Sequence, residues 1–193
     1  SKTKRNDLIM NAYDAGHRVF GENKIQEMLA KYNSLPKDIK WHMIGHLQRN
    51  KVKYIAPFVS LIHGVDSIKL INEINKHGIK NSRVIKCLLQ VNISKEVSKF
   101  GISLNKIDEL YDYSLSLENI SIKGLMGMAS YTNDKSIINS EFNSIGLKFN
   151  DINKIDPNFN ILSIGMSGDY EVAINNGSNM VRIGSKIFGE RKI

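Results

Sequence analysis

Two short stretches near the end of the chain carry residue types that could grip an anion. Gly165-Met166-Ser167-Gly168-Asp169 and Met180-Val181-Arg182-Ile183-Gly184-Ser185 read alike. In each, a short apolar strand (Ile161 to Ile164; Met180 to Ile183) runs into a Gly/Ser turn, and a helix-like segment follows. Glycine lets the backbone approach a ligand closely, and serine supplies a hydroxyl and a helix cap. N–H groups at a helix start carry partial positive charge, which suits a phosphate. Arg182 is the anomaly. It sits inside an apolar strand, where arginine is rarely buried without a partner. A buried ion pair with an Asp or Glu is one reading; a part in the site is the other.

The elements that must position these turns can be followed along the chain. Asn6 or Asp7 is placed to cap a helix over Leu8 to Ala15, with Gly16 as its stop. Arg18 to Gly21 reads as a strand, Glu22 to Asn33 as a helix, and Trp41 to Ile44 as a strand ending at Gly45. Arg49 to Ala56 is helical, with Val52 and Ile55 inward. Leu61 to Val65 is a strand, and Asp66 or Ser67 caps a helix reaching His77. Val84 to Asn92 is almost continuously apolar, as in a parallel strand buried on both faces. A polar loop, Ser94 to Gly101, leads to a helix over Leu104 to Leu117. Ile122 to Ala129 is a strand, and Ser136 to Asn153 carries a long helical pattern.

This alternation predicts parallel strands with helical crossovers. Seven strands are expected, ending near residues 21, 44, 65, 91, 128, 164 and 183. An α/β fold of the (β/α)8 TIM-barrel type needs eight, and it commonly builds a phosphate site from the turns after its last two strands. The expectation is therefore that Ser1-Lys2 is the tail of a first strand, and that the first helix and most of that strand would precede Ser1. An open doubly wound sheet is the alternative, but its usual Gly-rich turn after the first strand is not seen.

Composition bounds the rest. With 193 residues, 41% apolar, one domain over 1–193 is expected. Net charge is +8, from 27 Lys and Arg against 19 Asp and Glu. The lysines are scattered, so the charge reads as background rather than as a nucleic-acid face. Cys87 is the one cysteine, so no intramolecular disulfide can form, and its apolar run marks it as a core residue. No apolar run approaches the roughly 18 residues of a membrane span. His42, His46 and His63 lie on or beside strands without metal-ligand spacing. Each is expected to be a hydrogen-bonded histidine in the loop layer, and no metal site is expected.

Motifs spread over nearly the whole chain resemble the pyridoxal-phosphate homeostasis proteins, a family similar to the N-terminal domain of alanine racemase. They are Ser1-Lys2-Thr3-Lys4, Phe20-Gly21-Glu22-Asn23, Trp41 to Gln48 with Asn50-Lys51, His63 to Ser67, Val91-Asn92 with Lys99-Phe100-Gly101, Gly124-Leu125-Met126, Gly165-Met166-Ser167 with Asp169, and Val181 to Gly184 with Ile187-Phe188-Gly189. One departure is Arg5, where the family motif continues with proline. The resemblance implies a single barrel that holds pyridoxal 5′-phosphate (PLP) as a Schiff base on Lys2. It places Arg182 against the pyridine nitrogen. Ser167, Gly184 and Ser185 would bind the phosphate with N–H groups of both turns, and Met166 belongs to the same cofactor set. Asn23 would lie beside the cofactor, or else cap the helix that follows it.

The function implied is intracellular, cytoplasmic PLP homeostasis without strong catalysis. PLP itself and PLP-dependent apo-enzymes are the expected partners. A monomer is expected, with no nucleic acid or membrane bound. The alternative is a weak amino-acid racemase using Lys2 and a local second base such as Tyr170 or His63.

Overall fold

The structure is a computed structural model and describes residues 1–94 and 100–189. Seven strands alternate with helices: β1 (Val19–Glu22), β2 (Lys40–Met43), β3 (Leu61–Val65), β4 (Ile85–Val91), β5 (Ile120–Gly127), β6 (Ile161–Met166) and β7 (Met180–Arg182). The helices are α1 (Asn6–Asp14), α2 (Ile25–Ser34), α3 (Val52–Ile55), α4 (Ile68–Lys80), α5 (Ile107–Leu115), α6 (Lys135–Ile155), α7 (Tyr170–Asn175) and α8 (Ser185–Phe188). All strand pairs are parallel, and the strands lie side by side in chain order from β1 to β7.

That order decides between the two folds. Right-handed crossovers that always advance in one direction place every helix on the same face of the sheet. The other face can then be covered only by curling the sheet onto itself, as in a TIM-type barrel. A doubly wound sheet would reverse its order and carry helices on both faces.

Side chains divide accordingly, with alternate residues pointing to opposite faces. Phe20, Trp41, Met43, Ile62, Cys87, Leu89, Leu125 and Leu162 join Met28, Ile71, Leu110, Phe142 and Phe149 of the helices in one core between sheet and helices. A second, smaller cluster holds Leu61, Leu88 and Met126 with Met128, Ile161 and Met180. It belongs to the opposite strand parity and fills the inside of the barrel. Cys87 is buried, as expected.

Residues 1–4 span the gap between the edge strands. The nitrogen of Ser1 donates to the Gly21 carbonyl at 3.0 Å. Lys4 Nζ donates to the carbonyls of Phe188 and Gly189 at 2.9 and 3.0 Å. This segment thus links β1 to the end of α8.

Several local boundaries differ from the sequence reading. Helix α1 starts at Asn6 with Arg5 as its N-cap, and α2 starts at Ile25 with Lys24 as its N-cap; neither cap bonds through its side chain. Ser67 does cap α4, its hydroxyl accepting from Leu70 N at 3.3 Å. Val52 and Ile55 face inward, as their spacing predicts. Lys99 and most of the expected Ser94–Gly101 loop lie outside the described residues.

Gly124 shows how narrowly the sheet is fitted. Its φ is +150°, and a Cβ there would stand 1.8 Å from the Ile161 carbonyl oxygen on β6. Gly124→Ala is expected to cost at least ~3 kcal/mol, combining a disfavoured backbone with a clash against main chain. Urea unfolding followed by the fluorescence of Trp41, the one tryptophan and fully buried, measures it.

Candidate functional site

The turns after β6 and β7 meet at the C-terminal mouth. Ser167 Oγ accepts from Gly184 N at 3.1 Å, so a hydrogen bond ties the first turn to the second. Gly165 has φ +92°, and a Cβ there would lie 2.6 Å from Ala173 Cβ, so glycine brings the first turn of α7 close. Neither α7 nor α8 is capped by a side chain at its start. No capping side chain takes the first N–H groups of either helix, which leaves them as donors for an acceptor. Ser185 opens α8 and is exposed. The Met166 N–H is taken by Asp169 Oδ1 at 2.6 Å, so Met166 offers the rim its side chain, 40% exposed.

Arg182 stands on the same rung as Met166. Its Nη1 donates to the carbonyl and hydroxyl oxygens of Ser163 at 2.7 and 2.8 Å, and its Nη2 to the Gly127 carbonyl at 3.0 Å. The partners are neutral oxygens, so the ion-pair reading of Arg182 gives way. Asp169 acts on it only as a nearby charge. Burial lowers the guanidinium to about 10, partly offset by Asp169. It stays charged at neutral pH. Three of its five N–H groups are used in these bonds, which leaves donors for an acceptor at the mouth.

Lys2 is half-buried on the segment beside β1, and Thr3 after it has φ +64°. An ion triad with a buried Glu22–Lys31 pair and a half-buried Glu27 holds this segment from outside the barrel. Lys31 Nζ donates to Ser1 O (2.9 Å), Glu22 Oε1 (2.8 Å) and Glu27 Oε1 (2.6 Å). Ser1 Oγ donates to Glu22 Oε1, and Thr3 N donates to Glu27 Oε1 at 2.6 Å. Both neighbours of Lys2 are thus fastened. Asn23 sits just past β1, exposed and packed on Gly45: a Cβ at Gly45 would be 2.4 Å from Asn23 O and 2.6 Å from its Oδ1. Since Lys24 occupies the N-cap, Asn23 is not the cap of α2.

The histidines correct the sequence reading. His42 and His63 are not in the loop layer. They meet inside the barrel, His42 Nδ1 to His63 Nε2 at 3.1 Å, with His63 Nδ1 3.2 Å from Ser163 Oγ. His46 is the loop histidine, stacked on Phe100 with ring centroids 4.1 Å apart. Among the described residues no group of three or more His, Cys, Asp or Glu could hold a metal ion.

Burial, with the Lys40 charge adding, pushes His42 down to about 4, and burial with the charges of His42 and Arg182 pushes His63 well below its ordinary value. Below pH 6.5 the unfolded chain binds protons that the native histidines refuse, so stability falls as pH falls from 6.5 toward 4. His42 alone is expected to contribute a loss of about 3 kcal/mol over that window. Urea unfolding at pH 7 and pH 4.5 checks this, with His42→Asn giving the shallower decline.

A family model described as the alanine racemase N-terminal domain matches residues 6–192. The pyridoxal phosphate homeostasis protein of Aquifex aeolicus is 40% identical over 197 residues, covering 100% of this chain and 85% of that protein. The chain belongs to this family of homeostasis proteins. The protein of that name from Escherichia coli K12 is 35% identical over 99% of the chain and 83% of its own length. The structure of PipY from Synechococcus elongatus with PLP bound superposes with a TM-score of 0.88 at 30% identity, over 98% of this chain and 90% of PipY. Alanine racemase of Clostridium difficile, at 13% identity and a TM-score of 0.75 over 96% of this chain and 48% of its own, shares the barrel fold.

Within this family architecture, sequence reasoning missed two groups. Ser163 bonds Arg182 from inside the barrel, and the paired histidines lie behind Ser163. The signal was Ser163's polar type between Leu162 and Ile164 in an apolar strand. The Glu22–Lys31–Glu27 triad was missed too. Its signal was Lys31, three residues after Met28 and so on the buried side of α2.

Proposed function

We propose that this protein binds PLP and serves in its intracellular homeostasis, holding the cofactor as a Schiff base on Lys2 without strong catalysis. The observation that carries the reading is kinship over 99–100% of this chain, at 35–40% identity, to proteins named for that role. PLP supplies an aldehyde for amines and an electron-withdrawing ring. Lys2 would provide the amine that joins the aldehyde. The phosphate would rest on the joined turns at Ser167, Gly184 and Ser185, with Met166 and Asn23 on the rim. Arg182 would donate to the ring nitrogen. A guanidinium offers no acceptor, so that nitrogen stays unprotonated and the ring a weak electron sink. Such a site favours storage and delivery to apo-enzymes over carbanion chemistry. A cytoplasmic monomer fits this role, and no helix among the described residues is long and apolar enough to cross a membrane.

The second bases considered for a racemase are engaged elsewhere. His63 bonds through both ring nitrogens inside the barrel. Tyr170 donates its hydroxyl to Glu171 at 2.9 Å, and Lys186 covers its ring at 4.3 Å.

The test is a visible spectrum of the protein titrated with PLP, then borohydride reduction and peptide mapping. A Schiff-base band and a reduced adduct on Lys2 are expected. Exchange of the α-hydrogen of alanine and serine for deuterium is measured alongside, and enzyme-like rates would overturn the carrier reading.

A further inference from the structure

We infer that Ser163, His63 and His42 form a one-way hydrogen-bond chain that orients the Arg182 guanidinium and thereby sets the protonation state of a pyridine nitrogen placed against it. The second clause rests on the proposed contact between Arg182 and the PLP ring; the first stands on this chain's own geometry.

The direction follows from donor and acceptor balance. A guanidinium can only donate, so Ser163 Oγ is the acceptor of the 2.8 Å bond from Arg182 Nη1. The hydroxyl proton must then leave toward another acceptor, and His63 Nδ1 stands 3.2 Å away. His63 therefore accepts at Nδ1 and carries its proton on Nε2. That N–H points to His42 Nδ1 at 3.1 Å, so His42 also carries its proton on Nε2. Each member donates to the next, from Arg182 to Ser163 to His63 to His42, and the fixed charge at one end dictates both tautomers.

Enclosure keeps the order. Ser163, His63 and His42 are 0%, 1% and 9% exposed, so little water can offer competing bonds. Burial also disfavours the charged form of both rings, and a charged His63 would have no acceptor to present to Ser163. Four strands, β2, β3, β6 and β7, each contribute one member, so the barrel wall fixes the spacing. Arg182 needs such support. Its strand is three residues long, and a long side chain on a short edge element has many rotamers. Ser163 holds Nη1 through two oxygens at once, which fixes the plane as well as the position of the guanidinium. These three are positioning residues; none is placed against the cofactor.

The experiment has an arm that needs no cofactor. Nitrogen-15 NMR of the unliganded protein is expected to show His42 and His63 both neutral with the proton on Nε2, and a protected Arg182 side-chain N–H resonance. Ser163→Ala and His63→Gln are expected to leave Arg182 exchanging faster with water. An Nδ1-protonated tautomer at either histidine, or an Arg182 signal indifferent to both variants, overturns the chain. The second arm uses PLP labelled with nitrogen-15 in its ring. Ser163→Ala should move the ring-nitrogen shift toward its protonated value and speed PLP release about tenfold, the size expected for losing a bond to a charged group. If Arg182→Ala moves that shift and the two variants do not, the chain has no hold on the ring and the inference fails. If Arg182→Ala leaves the shift unmoved while the first arm holds, the proposed contact with the ring fails instead, along with the clause that rests on it.

Discussion

Lys2→Ala is expected to yield a folded protein that gives no borohydride-fixed adduct with PLP. The substitution removes the one amine that the site reading places within reach of the aldehyde. Lys4, two residues on, is committed elsewhere, since its Nζ is held by the carbonyls of Phe188 and Gly189. Bonds through the main chain or side chains of Ser1 and Thr3 seat the segment, and Lys2→Ala leaves them in place. Stability should therefore change by less than about 1 kcal/mol, as for substitutions outside the tightly packed core. Phosphate contacts at the two turns would persist, so a weaker, unreduced binding of PLP remains, visible as quenching of added PLP fluorescence. Lys2→Arg sharpens the comparison. It keeps the charge, but a guanidinium stays protonated and does not condense with an aldehyde. An adduct of undiminished yield mapped to another lysine in either variant would remove Lys2 from its assigned role, and with it the form of binding proposed here.

How far the sequence led toward this site depends on which interactions are local. The β/α alternation, the number of strands and the inward faces of short elements such as Val52 and Ile55 follow from periodicity, which needs only neighbours along the chain. The anion-binding look of the two Gly/Ser turns is local too, and the structure ties them together through Ser167 and Gly184. The cap of α4 was read correctly at Ser67, but those of α1 and α2 went astray by one or two residues. Asn6, Asp7 and Asn23 have the right chemistry for a cap, but the backbone turns at Arg5 and Lys24 instead. A cap is fixed by one residue's φ and ψ, which the surrounding packing sets. The histidines went astray for a different reason. His42 and His63 are 21 residues apart and lie on adjacent parallel strands, and His63 and Ser163 are 100 apart. Only strand parity inside a nearly closed barrel brings them together. A polar residue on an inward strand position was readable; which polar residue it would meet was not.

The same distance rule governs the ion triad, and its disruption should give the largest stability loss in the molecule's charged groups. Lys31→Met is expected to destabilise the fold by about 3–5 kcal/mol, because breaking a buried pair strands the remaining charge. The Glu22 side chain is 0% exposed and that of Lys31 6%, so water cannot replace the lost ammonium. Glu22 Oε2 already has no hydrogen-bond partner, which leaves Oε1 as the carboxylate's anchor. Methionine fills much of the lysine's volume, so the cost is chiefly electrostatic rather than a cavity. Glu22→Gln combined with Lys31→Met should recover more than half of the loss, since removing both charges leaves neither stranded. The consequence reaches the site. Without Lys31 the Ser1 carbonyl keeps only the Lys4 main-chain N–H at 3.1 Å, and Glu27 is freed to swing from Thr3 N. Thr3 holds φ +64°, a conformation that a β-branched residue leaves readily when its ties are cut. The segment that carries Lys2 would then sample many positions, and adduct formation should slow even at temperatures where Lys31→Met remains folded. Urea unfolding of the four proteins of the cycle measures the first effect, and stopped-flow absorbance after mixing with PLP measures the second. A single-variant cost below about 1 kcal/mol would show that the triad is solvated and does not hold the segment. A full cost with an unchanged rate of adduct formation would separate the two roles, keeping the triad as a support of the barrel and removing it from the positioning of Lys2.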